Sequence, residues 1–439
     1  MADSSTGRQE LLASGVARKH FGTDGVRGVV GESLTLDLVE KLGRATTTWA
    51  GGGNVLVGRD TRGSGPELEE ALARGIVDAG GTAILGGVLP TPAVALLAED
   101  LGLVVSASHN PPEYNGVKVF GRGGRKLGDA DELAIEALLD APSRRTGPGS
   151  VESGEGLAER YVEHVVQQFG SDLSGLSLAV DCANGAFSAI APGVFERLGA
   201  TVTPIATSPD GTNINLRCGA TDLALLAETV RTHGLDLGVA FDGDGDRMLA
   251  VDAQGVTVDG DQIIAIIALA MGVDLVAVTS MTNLGFHRLM TDHGVRVLTT
   301  DVGDRYVLEA LRREGGVVGG EQSGHLIILD AHVTGDGLAA ALVLCRSLAG
   351  RTLAEAAAVM PRFAQVLENV RVSRREVTPT IADAVAELNR ELAGTGRILV
   401  RPSGTEPVVR VLAEAESEEE ATTLCGRVAH LVREELGAS

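Results

Sequence analysis

The sequence predicts an α/β protein of several domains: three related α/β/α domains followed by a smaller α+β domain. Three observations carry this. The chain of 439 residues is 44% hydrophobic but only 3% aromatic, with 58 Gly, which suits layers of Val, Ile, Leu and Ala joined by Gly-rich turns. It is too long for one core, so two to four domains are expected. And one strand–loop–helix–strand pattern occurs three times before the pattern changes after Arg362.

The first repeat runs from the strand Asn54–Gly58 through the polar loop Arg59–Arg62 and a helix over Pro66–Ala79 to a strand over Thr82–Leu85. The second has the strand Leu176–Val180, the loop Asp181–Gly185, a helix reaching about Leu198, and a strand opening at Thr201. The third has Leu275–Val278, the loop Thr279–Asn283, a helix to about His293, and Val295–Leu298. Gly-Gly, Gly-Ala or His-Gly precedes each returning strand, as helix C-caps do. Three βαβ units imply largely parallel pairing.

A Ser/Gly/Pro-rich stretch, Pro142 to Gly156, marks the first boundary, and a helix over Leu157–Phe169 leads into the second domain. The expected domains are 1–154, 155–254, 255–364 and 365–439. In the last, strands are expected at Leu367–Val372, Arg397–Arg401 and Val408–Ala413, and helices at Pro379–Leu392 and Ser417–Glu435.

Composition also excludes. A net charge of −22 argues against nucleic acid or an anionic membrane as partner. The apolar run Ile263–Val273 is far short of the roughly 20 residues a membrane span needs. Cys182, Cys218, Cys345 and Cys425 are scattered, so they read as free thiols in a reducing cytoplasm. Of 37 basic residues only Lys19, Lys41, Lys118 and Lys126 are lysines. Lysine can give up its proton where arginine cannot, which marks Lys118 as a candidate acid/base. The other three read as surface lysines.

Five segments carry chemistry. Ser106-Ala-Ser-His-Asn-Pro111 follows the buried strand Leu103–Val105, and Pro111-Pro112 stops any helix. A hydroxyl is displayed there beside His109, either as a nucleophile or within a Ser/Asn-rich turn. Asp242-Gly-Asp-Gly-Asp-Arg247 joins two strands, and its three carboxylates can converge on a hard cation such as Mg²⁺ or Ca²⁺. An EF-hand needs Gly at the sixth loop position and Glu at the twelfth, where this loop has Arg247 and Ala253. Gly319-Gly-Glu-Gln-Ser-Gly-His325 offers polyol-binding groups on a Gly-flexed loop. Arg401-Pro-Ser-Gly-Thr-Glu-Pro407, with Arg410, suits a phosphate cradle. Phe21–Gly28 places Arg27 on a Gly-flanked loop, and Arg59 and Arg62 are further candidates to balance a phosphate.

Together, and in this order, these segments resemble the α-D-phosphohexomutase superfamily over nearly the whole chain. The resemblance implies four domains around a central cleft. It implies that Ser108 is the phosphorylated serine, with Asp242, Asp244 and Asp246 holding Mg²⁺ against its phosphate. Arg27, His109, Lys118, Arg247 and His325 match catalytic positions. Asp304, Arg305, Glu321 and Ser323 match substrate-binding loops, and Arg401, Ser403, Gly404, Thr405 and Arg410 match the phosphate-binding loop. The last domain is expected to swing near residues 363–368.

Gln322, the stretch Gly22–Arg27 and Asn283-Leu-Gly285 resemble the amino-sugar branch. That branch interconverts glucosamine 6-phosphate and glucosamine 1-phosphate through a phosphoserine enzyme and a 1,6-bisphosphate, feeding UDP-N-acetylglucosamine and cell-wall synthesis. Glucosamine or glucose 1,6-bisphosphate would be the intermediate or activator. Pro112-Glu-Tyr-Asn115 resembles instead the mannose/glucose branch, which is the alternative. The implied protein is cytoplasmic, a monomer or homodimer, with a hexosamine phosphate as its partner and neither nucleic acid nor membrane.

Overall fold

The computed structural model describes residues 19–22, 24–142, 147–403 and 407–437. By packing it divides into two compact units. One comprises residues up to Ser280 and Leu298–Ala357; the other comprises Met281–Val297 and Ala358 onward.

The larger unit holds three sheets. In the first, the strand order is Phe21–Gly22, Gly25–Val29, Tyr114–Gly121, Leu101–Val105, Asn54–Arg59, Thr82–Val88, Ser150–Ser153. The strand Asn54–Arg59 pairs parallel with both Thr82–Val88 and Leu101–Val105. The helix Gly65–Asp78 is the crossover, and its buried Leu68, Leu72 and Ile76 fill the core against Val55 and Val57. Pairing then turns antiparallel, because only residues 106–113 separate Leu101–Val105 from Tyr114–Gly121. A parallel return needs a crossover of about a dozen residues or more. The largely parallel sheet expected from the repeats therefore ends in an antiparallel return.

The other two sheets repeat this construction. Thr201–Ile205, Ser177–Asp181 and Leu237–Phe241 run parallel, and Met248–Asp252 returns antiparallel through residues 242–247. Leu275–Thr279 and Val318–Gly320 run parallel, and Leu326–Ile328 returns antiparallel through residues 321–325. The turn of each return thus coincides with a motif: the serine stretch, the Asp stretch and the Glu–His stretch. A single bridge, Arg247 to His325, joins the last two turns.

The expected C-cap glycines adopt left-handed conformations, with φ of 84° at Gly80, 96° at Gly199 and 71° at Gly294. One helix is shorter than expected. The second repeat forms Ala191–Arg197 alone, because residues 182–190 continue the loop, with Ala183 and Asn184 at positive φ. Gly185 is pressed against Gly243, where a Cβ would lie 2.4 Å from its carbonyl oxygen.

The smaller unit has a three-stranded antiparallel sheet, ordered Ala364–Arg371, Val408–Ala415, Gly396–Pro402. The helices Pro379–Leu392 and Glu418–Leu436 bury Ile381, Leu388, Val428 and Val432 against Ile398, Val409 and Val411. Thr378 and Ser417 cap the two helices by accepting from Ile381 N and Glu420 N. The unit also includes the helix Leu284–Asp292. Asn283 exchanges two hydrogen bonds with the Phe363 backbone, and the Glu414 carboxylate accepts from Leu284 N at 3.1 Å. No described helix is long and apolar enough to cross a membrane.

Candidate active site

Ser108 stands at the end of the strand Leu101–Val105, buried to 1% exposure and at a φ of 51°. A non-glycine residue in this region is strained, so its surroundings must hold it. Its N–H donates to Ser106 Oγ at 2.8 Å, and Ser106 Oγ donates to Asp60 at 2.6 Å. Arg62 bonds Asp60 and also donates to the carbonyls of Ser108, Asn110 and Tyr114. Arg62 therefore spends its donors on the serine loop rather than on a phosphate, and Arg59 pairs with Glu69 at 3.2 Å.

The Ser108 hydroxyl donates to Asp242 Oδ2 at 2.6 Å. It lies 3.2 Å from His109 Nδ1. Burial, then the Arg247 and Arg27 cations, pushes His109 down to about 4, so it is neutral near pH 7.

Asp242, Asp244 and Asp246 are buried, each with a carboxylate oxygen within 4.8 Å of the others. Burial, then the charges of Asp246 and Asp244, pushes Asp242 up to about 8. Asp244 Oδ1 and Asp246 Oδ1 are buried without a hydrogen-bond partner among the described residues. Carboxylate oxygens buried and crowded in this way, two of them without a hydrogen bond, fit a hard divalent cation. Thr91 fixes the loop, donating to Asp244 O from its N–H (2.8 Å) and to Asp244 Oδ2 from its hydroxyl (2.6 Å).

Lys118, opposite Val104 on the antiparallel strand, reaches Asp246 at 2.6 Å, Asp244 at 2.8 Å and Asp24 at 3.0 Å. Burial opposes its charge, but Asp24, Asp244 and Asp246 outweigh that and raise its pKa well above the ordinary lysine value. Asp24 accepts from Arg27 at 2.5 Å and lies 3.4 Å from Lys126. Lys126 also bonds Asp304. Asp304 in turn holds His325 Nε2 at 3.0 Å, and His325 Nδ1 lies 3.6 Å from Asp246. Burial alone would lower His325, but Asp304 and Asp246 raise it to about 10. The result is a closed ring of alternating charge: Lys118, Asp24, Lys126, Asp304, His325, Asp246.

Two expectations change here. Lys126 is no surface lysine: its side chain is 12% exposed and ion-paired twice. Asp24, inside the Phe21–Gly28 segment, carries no sequence signal of its own, yet it joins Arg27 to both lysines. It gets there because Gly25 packs against the strand carrying Lys118, where a Cβ would lie 2.3 Å from Val117 O.

Glu321 Oε1 accepts from Gly303 N at 2.9 Å, and Ser323 Oγ lies 3.4 Å from Glu321 Oε2. Arg247 Nε is buried without a partner among the described residues. Arg305 points instead at Asp129 (2.7 Å), Glu309 (3.4 Å) and Glu132 (3.7 Å). In the smaller unit, Arg401 and Arg410 are cross-strand partners. Ser403 N donates to Val408 O at 2.9 Å. Gly404 and Thr405 lie outside the described residues.

Four domain families match in chain order. Alpha/beta/alpha domains I, II and III of phosphoglucomutase/phosphomannomutase match residues 18–146, 159–255 and 259–363, and the C-terminal domain matches 367–431. The chain belongs to the phosphoglucomutase/phosphomannomutase family, within the phosphohexomutase superfamily. Its relatives include the phosphoglucosamine mutase of Moorella thermoacetica, 48% identical over 427 residues (92% of this chain, 96% of that one). The phosphoglucosamine mutase of Streptomyces coelicolor is 47% identical over 449 residues (95% and 99%). Among solved structures, a phosphoglucomutase/phosphomannomutase family protein from Burkholderia thailandensis matches with a TM-score of 0.81 at 26% identity (95% and 98%). The N-acetylphosphoglucosamine mutase of Aspergillus fumigatus shares the fold, with a TM-score of 0.67 at 21% identity (99% of each chain).

Proposed function

We propose that this chain is an isomerase that interconverts glucosamine 6-phosphate and glucosamine 1-phosphate, with Ser108 as the phosphoryl carrier. The observation that carries this is the Ser108 hydroxyl, buried and bonded to Asp242 at 2.6 Å on the edge of three carboxylates. Relatives that are phosphoglucosamine mutases at 48% identity point to the amino sugar.

In the proposed cycle Ser108 starts phosphorylated. A sugar hydroxyl attacks its phosphorus, the P–O bond to Ser108 breaks and a bond to the sugar oxygen forms. The resulting 1,6-bisphosphate reorients, and its other phosphoryl group returns to Ser108 Oγ. Asp242, Asp244 and Asp246 would hold Mg²⁺, which when bound neutralises charge on the transferring phosphoryl oxygens. Lys118 and His325 are the assigned proton carriers. Carboxylates hold both charged in the free protein. A proton would therefore pass from this pair to the departing Ser108 Oγ, and the proton of the attacking sugar hydroxyl would replace it, with Lys118 as its acceptor. Arg27 and Arg247 supply positive charge beside the serine. Glu321 and Ser323 would hold sugar hydroxyls, and Asp304 steadies His325. Arg401, Ser403, Gly404, Thr405 and Arg410 would take the phosphate that is not reacting.

A panel assay tests this reading. Glucosamine, glucose and mannose phosphates are each supplied with Mg²⁺ and a 1,6-bisphosphate, and the 1- and 6-phosphate isomers are quantified. Fastest turnover of glucosamine phosphate is expected. Faster turnover of mannose or glucose phosphate would move the chain to the other branch. Ser108→Ala should abolish turnover and any phosphate adduct in the intact mass, and a fully active variant would overturn the scheme.

A further inference from the structure

Asn215 lies outside the residues given a role above, yet its side chain reaches the backbone of Ser108. It sits in a loop of the second α/β domain, at a φ of 57°. Its Nδ2 donates to the Ser108 carbonyl at 2.9 Å. Arg62 Nη2 donates to the same oxygen, also at 2.9 Å. A carbonyl oxygen has two lone pairs, and here each has one donor. The assignment of the amide follows from chemistry, because the Ser108 carbonyl can only accept.

The surroundings are shaped to admit this contact. At Gly243, between Asp242 and Asp244, a Cβ would lie 2.8 Å from both Asn215 Nδ2 and Ser108 O. The loop is anchored to its own domain by Asn215 N donating to Ala183 O at 2.9 Å. It is also docked on the first domain, where Gly63 N donates to Gly211 O at 2.8 Å; the adjoining loop that carries Ala183 docks there too, with Thr61 Oγ1 donating to Asn184 O at 2.5 Å.

Backbone conformation alone does not account for Asn215. Asn tolerates positive φ, but Gly does so at lower cost. The amide also keeps its Oδ1 buried without a partner among the described residues, which is unfavourable. Both costs are offset if the amide is kept for the Ser108 carbonyl. We propose that Asn215 is a positioning residue for phosphoryl transfer. It closes a clamp from the second domain on the strained Ser108 backbone and so sets where Ser108 Oγ stands relative to the incoming phosphorus.

This rests on the proposed role of Ser108, and the experiment separates the two. Enzyme freed of phosphate is mixed with glucosamine 1,6-bisphosphate and Mg²⁺, and Ser108 phosphorylation is followed by intact mass. In that step a sugar P–O bond breaks, a bond to Ser108 Oγ forms, and the serine proton passes to the released sugar oxygen. Wild type, Asn215→Gly and Asn215→Asp are compared, together with kcat, KM and thermal midpoint. Gly keeps the backbone conformation and loses the amide; Asp keeps the shape and sets a carboxylate oxygen against the carbonyl.

The expected result is a rate of Ser108 phosphorylation and a kcat lower by roughly 10- to 100-fold in both variants, as small misplacements of reacting groups produce. KM should stay within about twofold, and Asn215→Gly should melt within a few degrees of wild type. A wild-type rate in either variant overturns the positioning role alone. Loss of rate only in proportion to lost folded protein also overturns it. Failure of the wild type to take up phosphate overturns the role of Ser108, and this proposal with it.

Discussion

Ser108 Oγ and Asp242 Oδ2, 134 residues apart in sequence, stand 2.6 Å from each other. Each lies in the turn of an antiparallel return, one in the first α/β domain and one in the second. The hydroxyl therefore sits at the lip of three buried carboxylates, and removing charge from that cluster tests what it holds. Asp242→Asn should weaken divalent-cation binding by at least tenfold, about 1.4 kcal/mol. Calorimetric titration with Mg²⁺ or Mn²⁺ checks this. Unchanged affinity would show that the carboxylates do not form the cation site.

Lys126 links Asp24 to Asp304 in the ring of alternating charge. Lys126→Met leaves two largely buried carboxylates short of a cation. Removing one partner of a buried pair costs about 3–5 kcal/mol, whereas an exposed lysine is worth about 0.5 kcal/mol or less. A fall in urea-unfolding stability of roughly 3 kcal/mol is expected. A change under about 0.5 kcal/mol would return Lys126 to the surface class.

Gly335 backs the His325 ring, where a Cβ would lie 2.3 Å from Nε2. Gly335→Ala must push the ring off Asp304, its partner at 3.0 Å. The expected loss in kcat/KM is roughly tenfold or more, with a stability cost of about 1–3 kcal/mol from overpacking. Steady-state kinetics of the folded variant decide the matter. Full activity would mean that the His325–Asp304 contact is dispensable.

His287, in the helix Leu284–Asp292, is mostly buried with Arg397 nearby. Burial, then that guanidinium, lowers its pKa to about 4. The folded state thus refuses a proton that the unfolded chain takes up near 6.5. The associated stability is present above about pH 6.5 and is lost as pH falls toward 4, by on the order of 3 kcal/mol in all. His287→Leu should flatten the fall in thermal midpoint between pH 7 and pH 4.5. Parallel curves for the variant and wild type would refute the assignment.

Much of the site was legible because its parts are local. The Asp-Gly-Asp-Gly-Asp spacing fixes three carboxylates in one turn, and an apolar run followed by Ser-X-Ser-His displays a hydroxyl at a strand end. The resemblance supplied Ser108 over Ser106, and the structure gives Ser106 a supporting place on Asp60. Lys126 and Asp24 carried no such signal. Asp24 meets Lys118 only through antiparallel register, and Lys126 meets Asp304 across 178 residues of sequence. Asn215 was hidden for the same reason, since its partner Ser108 belongs to another domain. The helix Ala191–Arg197 ends where the sequence places it, near Leu198, but its late start depends on a loop in which Gly185 is pressed on Gly243, a contact that the local sequence does not show.

The helix Leu284–Asp292 belongs by packing to the smaller unit, although family matching counts it within the third domain. The backbone therefore enters that unit, leaves it and comes back. A protease cut or a truncation after residue 357 would not release a finished module. It would strand the helix with Asn283 parted from Phe363 and Leu284 from Glu414, and it would leave the severed fragment lacking a wall. The last domain is sewn into its predecessor, and any attempt to exchange it between relatives must carry residues 281–297 along.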